Sequence, residues 1–222
     1  MKRSFLLLIF AILSGYVYPE GVYQNFIQIY GEGPYGRHPV KFDAKIYTKT
    51  DAILYAKREI FEFLSGMIYG YNFTYKVENK INKTKGFFDI TPIGRINEKD
   101  PNLTLSQVEE SQISLRIQAE YRLSDSQKKY MSGFKSVLSK MGGGESSESW
   151  ANDWSARLDV YKDALENTIL NGAKKTIKSR PLYVKGKILL EDSPKFFIKS
   201  GEWRCIVKAH LMILNASYID SY

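Results

Sequence analysis

The chain has 222 residues, 44% of them hydrophobic and 25% charged, with a formal charge of +8. That composition buries a core of its own and excludes an intrinsically disordered chain. The single cysteine, Cys205, excludes an internal disulfide, and it sits in Trp203–Val207, where a strand would bury it as an inert thiol.

The N-terminus sets the compartment. Lys2 and Arg3 precede an apolar run from Phe5 to Leu13, and the small residues Ser14 and Gly15 follow. That is the layout of a secretory signal peptide, and the run is shorter than the roughly 20 apolar residues of a membrane span. We expect residues 1–15 to be removed and the mature chain to be periplasmic or secreted, with no transmembrane span. Removal of Lys2 and Arg3 lowers the charge by two and leaves a basic surface suited to an anionic envelope polymer or acidic lipid. No nucleic-acid-binding motif is present, so nucleic acid is not expected as a partner.

Val22–Tyr30 is rich in β-branched and aromatic residues and reads as a strand, which Gly31, Gly33 and Pro34 punctuate as a turn. Thr48–Tyr69 reads as a helix: Ala52, Ala56, Ile60, Phe63, Leu64 and Met67 share one side, Thr48 or Thr50 can cap it, and Gly70 ends it. Tyr71–Val77 alternates with period two, Phe87–Ile93 is a short return strand, and Arg95–Glu110 reads as a polar loop. Ile113–Leu123 alternates cleanly, with Ile113, Leu115, Ile117, Ala119, Tyr121 and Leu123 on one face and Arg116, Glu120 and Arg122 on the other.

A helix is predicted over Asp125–Met141, then a Gly/Ser-rich linker over 142–149, then a long helix over Trp150–Lys178. Strands Leu182–Leu190 and Glu202–Leu214 close the chain, with Pro194 and Gly201 marking the loop between them. Helix, strand, loop and strand thus occur twice. We expect an α+β fold of two helix-on-hairpin units packed on a mainly antiparallel sheet: a first unit over 16–141 and a second over 150–222.

Candidate chemistry is sparse. His38 and His210 lack partners at metal-ligand spacing, so no metal site is assigned. Gly31, Gly33 and Gly36 meet the dinucleotide-binding spacing, but no helix starts at that turn to receive a pyrophosphate, so no cofactor is assigned. Asp51, Glu59 and Glu62 fall on the polar side of the first helix, where charges are expected without catalysis. Asn-x-Ser/Thr triplets begin at Asn72, Asn82, Asn102 and Asn215; Asn-rich usage produces such triplets by chance. The tyrosines outside the core pattern, Tyr30 and Tyr35 among them, suit a protein or glycan contact.

Phe26–Pro34, leading after a loop into Asp51–Arg58 and on to Gly66 and Met67, resembles the N-terminal domain of the flagellar-assembly T protein and related small bacterial envelope lipoproteins, with Ala52, Ala56, Arg58 and Gly66 at the matching positions. The chain lacks the lipid-acceptor cysteine of those lipoproteins. The resemblance implies a non-enzymatic assembly part of a bacterial envelope, with envelope proteins as partners and a flagellar association. The candidate protein contacts are Arg116, Glu120, Arg122, Tyr30 and Tyr35. The alternative is a secreted ligand- or glycan-binding module with a basic, tyrosine-rich surface.

Overall fold

A computed structural model of the chain describes residues 21–22, 25–37, 46–76, 86–136, 140–149, 154–176 and 181–218. The expected signal segment 1–15 and His38 lie outside the described residues. In chain order the elements are β1 (Gly21–Val22), β2 (Phe26–Pro34), β3 (Gly36–Arg37), β4 (Ile46–Tyr47), α1 (Lys49–Ile68), β5 (Tyr71–Lys76), β6 (Phe87–Pro92), β7 (Leu103–Glu110) and β8 (Ser114–Arg122). They continue with α2 (Asp125–Ser136), β9 (Lys140–Ser149), α3 (Ala156–Thr176), β10 (Pro181–Leu190), β11 (Lys195–Lys199) and β12 (Glu202–Tyr218). The fold is α+β, and every strand pair among the described residues is antiparallel.

Two main sheets form. One runs in the order β1-β2-β8-β7, with α1 laid on β2 and β8. The other contains β6, β5, β10 and β12 in that order. There β9 and β11 both pair with the start of β12, so they flank it on opposite sides, and β10 and β11 follow one another along the same edge of β12. The Glu191 N–H donates to the Lys208 carbonyl at 2.9 Å where β10 gives way to β11. Helix α3 lies on β9 and β12. One apolar core runs from Ile27 and Ile29 through Phe63, Tyr71 and Tyr161 to Val207 and Leu211.

Local signals explain the regular parts. Thr48 caps α1: its hydroxyl accepts from the Asp51 N–H, and the Asp51 side chain accepts from the Thr48 N–H, a reciprocal capping box. Gly70, at φ 70°, ends the helix and turns the chain into β5. Ser200 and Gly201 both have positive φ, which makes the tight two-residue turn between β11 and β12.

Four expectations change. Gly31–Pro34 is the second half of β2 and not a turn. The two glycines are there for closeness: a Cβ on Gly31 would lie 2.1 Å from the Ala56 carbonyl oxygen, and one on Gly33 would lie 1.9 Å from that of Ala52. Small residues on both elements let the α1 backbone rest on the strand. Arg95–Glu110 contains β7, whose Leu103 and Leu105 pack on the core beside β8. Residues 142–149 belong to β9, which pairs with β12 from Glu202 to Leu211 and also takes Lys140 and Met141, expected as the end of the helix; α2 is described over Asp125–Ser136. Lys195–Lys199, expected as loop, is β11.

The pairing of the halves also differs from two helix-on-hairpin units. Strand β5, directly after α1, leaves its own helix's sheet and pairs with β10 through Ile188↔Tyr71 and Gly186↔Phe73. The β5–β6 hairpin therefore extends the sheet of the C-terminal half, and β8 pairs with β2 and β7.

Gly31→Ala and Gly33→Ala should each cost about 1–3 kcal/mol or more, since the clash is with helix backbone that cannot step aside. Gly133→Ala, inside α2 with nothing within 4 Å of its new Cβ, should gain up to about 1 kcal/mol from helix propensity. Urea unfolding of the three variants checks both signs.

Candidate functional site

The two sheets meet at a buried ion pair. Strand β2 pairs with β8 along one edge; on the other, β1 reaches only Ile27 and Gln28. Glu32 lies beyond β1, so its peptide groups on that edge need other partners. Its N–H donates to Glu59 Oε2 at 3.1 Å, and its carbonyl accepts from Trp154 Nε1 at 3.3 Å. Side chains from α1 and from just before α3 thus close the strand edge.

Arg157, in the first turn of α3, completes the joint. Its Nε donates to Glu59 Oε1 at 2.6 Å and its Nη2 to Glu59 Oε2 at 3.1 Å, a bidentate pair in which Arg157 is 4% exposed and Glu59 3%. Nη1 lies 3.4 Å from Glu32 Oε2. The rings of Phe196, Trp203 and Trp154 lie 4.3, 4.7 and 5.1 Å from the guanidinium carbon. A planar, weakly hydrated guanidinium satisfies fork and rings together, which an ammonium cannot. Burial works against the charge on Arg157, but Glu59 and then Glu32 more than restore it, so the group stays charged.

A cleft of about 220 Å³ opens over this pair. Glu32, Glu59 and Arg157 lie at its buried end, and Tyr30, Arg116 and Lys195 also line it. Arg116 sits 6.0 Å from the Tyr30 ring centroid and 3.5 Å from Glu109 Oε2. The lining holds three cations, Arg116, Arg157 and Lys195, against two carboxylates, Glu32 and Glu59, and this small positive excess suits an acidic group on whatever enters.

Of the five candidate contacts, Tyr30 and Arg116 meet at this cleft. Glu120 and Arg122 follow Arg116 along β8, opposite Gln28 and Phe26 of β2, on the sheet face turned away from α1. Tyr35 stands apart, past the end of β2, where its N–H donates to the Ile113 carbonyl at 2.9 Å. Of the three α1 carboxylates, Asp51 belongs to the cap, Glu62 accepts from the Tyr71 hydroxyl at 3.0 Å, and Glu59 is interior, contrary to its assignment to the polar side. The missed residues are Glu59, Arg157 and the ring set. A signal existed: Glu59 stands between Ala56 and Phe63 on the apolar stripe of α1, and Arg157 directly precedes Leu158 of the α3 stripe.

Cys205 is fully buried, as its strand pattern suggests, and burial pushes its thiol up to about 12. His210 is half-buried on β12, opposite Leu189.

The fold is α+β, with a polar sheet face that leads into a cleft bordered by Arg116 and Lys195. A protein-family model matches residues 36–222, and the chain belongs to that family. It is also similar to an uncharacterized protein of Treponema pallidum (strain Nichols), at 28% identity over 151 residues, which is 66% of this chain and 62% of the relative. The chain thus spans less than two thirds of the length of the relative it matches. No solved structure matches.

Arg157→Met should cost about 3–5 kcal/mol by stranding the Glu59 charge. Adding Glu59→Met should recover at least about 2 kcal/mol of the summed single losses, a coupling that a double-mutant cycle in urea measures. Cys205 should resist maleimide at pH 8 until the protein unfolds. Its folded value of about 12 exceeds the ordinary 9.0, so the unfolded thiol ionises first and its linked stability falls as pH rises from 9.0 towards about 12. Comparing Cys205→Ala with the parent across that range isolates this contribution.

Proposed function

We propose that the protein is an exported, non-enzymatic assembly component of a bacterial cell envelope, working in the periplasm or after secretion and holding a protein partner. The observation that carries this reading is the polar face of β2 and β8. Opposed pairs Glu32–Arg116, Tyr30–Gln118, Gln28–Glu120 and Phe26–Arg122 form a ladder of charges and aromatics, with Gln28 buried and Arg116 and Arg122 exposed. Such a ladder can fix the register of a partner through complementary charge, and the basic cleft at its end can accept a partner's acidic side chain. The signal-like N-terminus supports export, and the likeness of residues 26–70 to the flagellar-assembly T protein domain supports a flagellar association within that role.

The second reading is a secreted ligand- or glycan-binding module. The cleft favours it, since Tyr30, Arg116 and Lys195 line a concavity of about 220 Å³.

A photo-crosslinking residue placed at Gln118, on the same strand face between Arg116 and Arg122, in the producing bacterium should yield discrete protein adducts in the periplasmic fraction. Arg116→Glu with Arg122→Glu should lower adduct yield about 10-fold through like-charge repulsion. An uncut product held in the cytosol, or an adduct yield unchanged by the charge reversals, overturns the assembly reading. Loss of a small ligand on Arg116→Ala, with no protein adduct, selects the second reading.

A further inference from the structure

The Tyr71 hydroxyl meets the Tyr161 hydroxyl of α3 at 2.8 Å, so Tyr71, Phe73 and Tyr75 face the helix and the alternating residues face away. Strand register then builds the outer face in rows. Phe87, Lys76 and Tyr183 form the first; Asp89, Thr74 and Lys185 the second; Thr91, Asn72, Lys187 and Met212 the third. Lys76, Lys185 and Lys187 therefore share a patch about 14 Å across, with Lys185 about 7–8 Å from each of the other two. Among the described residues none of these three lysines makes a side-chain hydrogen bond or ion pair, and Asp89 is the only carboxylate in the three rows. The fold thus leaves three like charges close together on one flat face.

Apolar side chains border the lysines. Phe87 lies beside Lys76 on the edge strand β6 and is 48% exposed. Tyr183 flanks Lys76 on its other side, and Leu214, 55% exposed, sits at the register shift between β10 and β12. Lysines interleaved with an exposed Phe and a Tyr match the two layers of an acidic bilayer surface. The ammonium groups reach headgroup phosphates, while the aromatic rings enter the interface below.

We propose that this face docks on the surface of an acidic phospholipid bilayer, with Lys76, Lys185 and Lys187 on the headgroups and Phe87 as the inserted ring. The β2–β8 ladder is a different sheet face with different residues, so the inference stands apart from the assembly reading. An extended anionic polymer would use the three charges but gain nothing from an exposed Phe at the sheet edge, which is why lipid is preferred.

The test is sedimentation of the full chain with pure phosphatidylcholine vesicles and with mixed phosphatidylcholine–phosphatidylglycerol vesicles. Pure phosphatidylcholine reports whatever the apolar N-terminal run contributes; the increment with phosphatidylglycerol reports the lysine face. Each lysine near an acidic surface is worth roughly five-fold in partitioning, so K76Q/K185Q/K187Q should lower that increment by about 100-fold. Raising ionic strength from about 0.1 M to about 1 M shortens the screening length from about 10 Å to about 3 Å and should abolish it. Phe87→Ser should weaken binding while keeping the preference for phosphatidylglycerol. A control triple at lysines paired elsewhere, K49Q/K128Q/K162Q, should keep most of the increment, with circular dichroism confirming the fold of each variant. Equal sedimentation of parent and K76Q/K185Q/K187Q overturns the proposal. So does a parent without preference for phosphatidylglycerol whose heparin binding requires these lysines, which makes the face a polymer site.

Discussion

The closed fork between Glu59 and Arg157 is the interaction on which the arrangement of this protein depends. Glu59 comes from the helix on the first sheet, Arg157 from the helix on the second, and both are almost fully removed from water. A buried pair of this kind adds little net stability over a well-packed apolar pair, because desolvation offsets most of the attraction. Its value lies in direction. Glu59 also accepts from the Glu32 N–H and Arg157 also meets the Glu32 carboxylate, so a small shift of α3 along β2 would leave a buried charge or a peptide N–H without its partner. The three rings around the guanidinium exclude water and raise that penalty.

Two further constraints work with it. Gly31 and Gly33 remove the atoms that would hold α1 off β2, and Ala52 and Ala56 do the same from the helix side. That close approach brings Glu59 within reach of the strand edge. On the second sheet, the phenol pair of Tyr71 and Tyr161 ties β5 to α3, so the strand that leaves the first helix is held against the other one. Burial raises both hydroxyls well above the ordinary tyrosine range and keeps them neutral. The halves are thus crossed through β5 and pinned at Arg157, which makes one core of two sheets.

Helices α1 and α3 cover one face of each sheet, and the opposite faces carry two different charge patterns. On β2 and β8, opposite signs alternate along the strands, and that pattern suits a protein of matched charge. On β5, β6 and β10, charges of one sign gather beside a phenylalanine, and that pattern suits an acidic interface. Neither surface lies along one continuous stretch of chain: each is assembled across strands far apart in sequence.

The elements that could be read directly are those whose signal is local. The apolar spacing and cap of α1, the alternation of β8 and the burial of Cys205 all appeared in the structure close to where the pattern put them. So did the α+β class and the placement of Arg116, Glu120 and Arg122 on one strand face. Strand β9 was not legible, because Gly142–Gly144 and the serines after it carry no alternating apolar pattern; they become strand through backbone pairing with β12. The glycines of β2 looked like a turn because a close helix contact and a reversal call for the same residue. Glu59 looked like a solvated charge beside an apolar stripe, and Arg157 did not stand out at all, since a charge reveals its burial only when its partner, distant in sequence, is in place. Periodicity, capping and composition act over a few residues, so the sequence by itself determined the elements and their polar and apolar sides. Which strands share a sheet, and which charges meet inside it, depends on pairing and desolvation over long chain separations, and only the tertiary structure decided that.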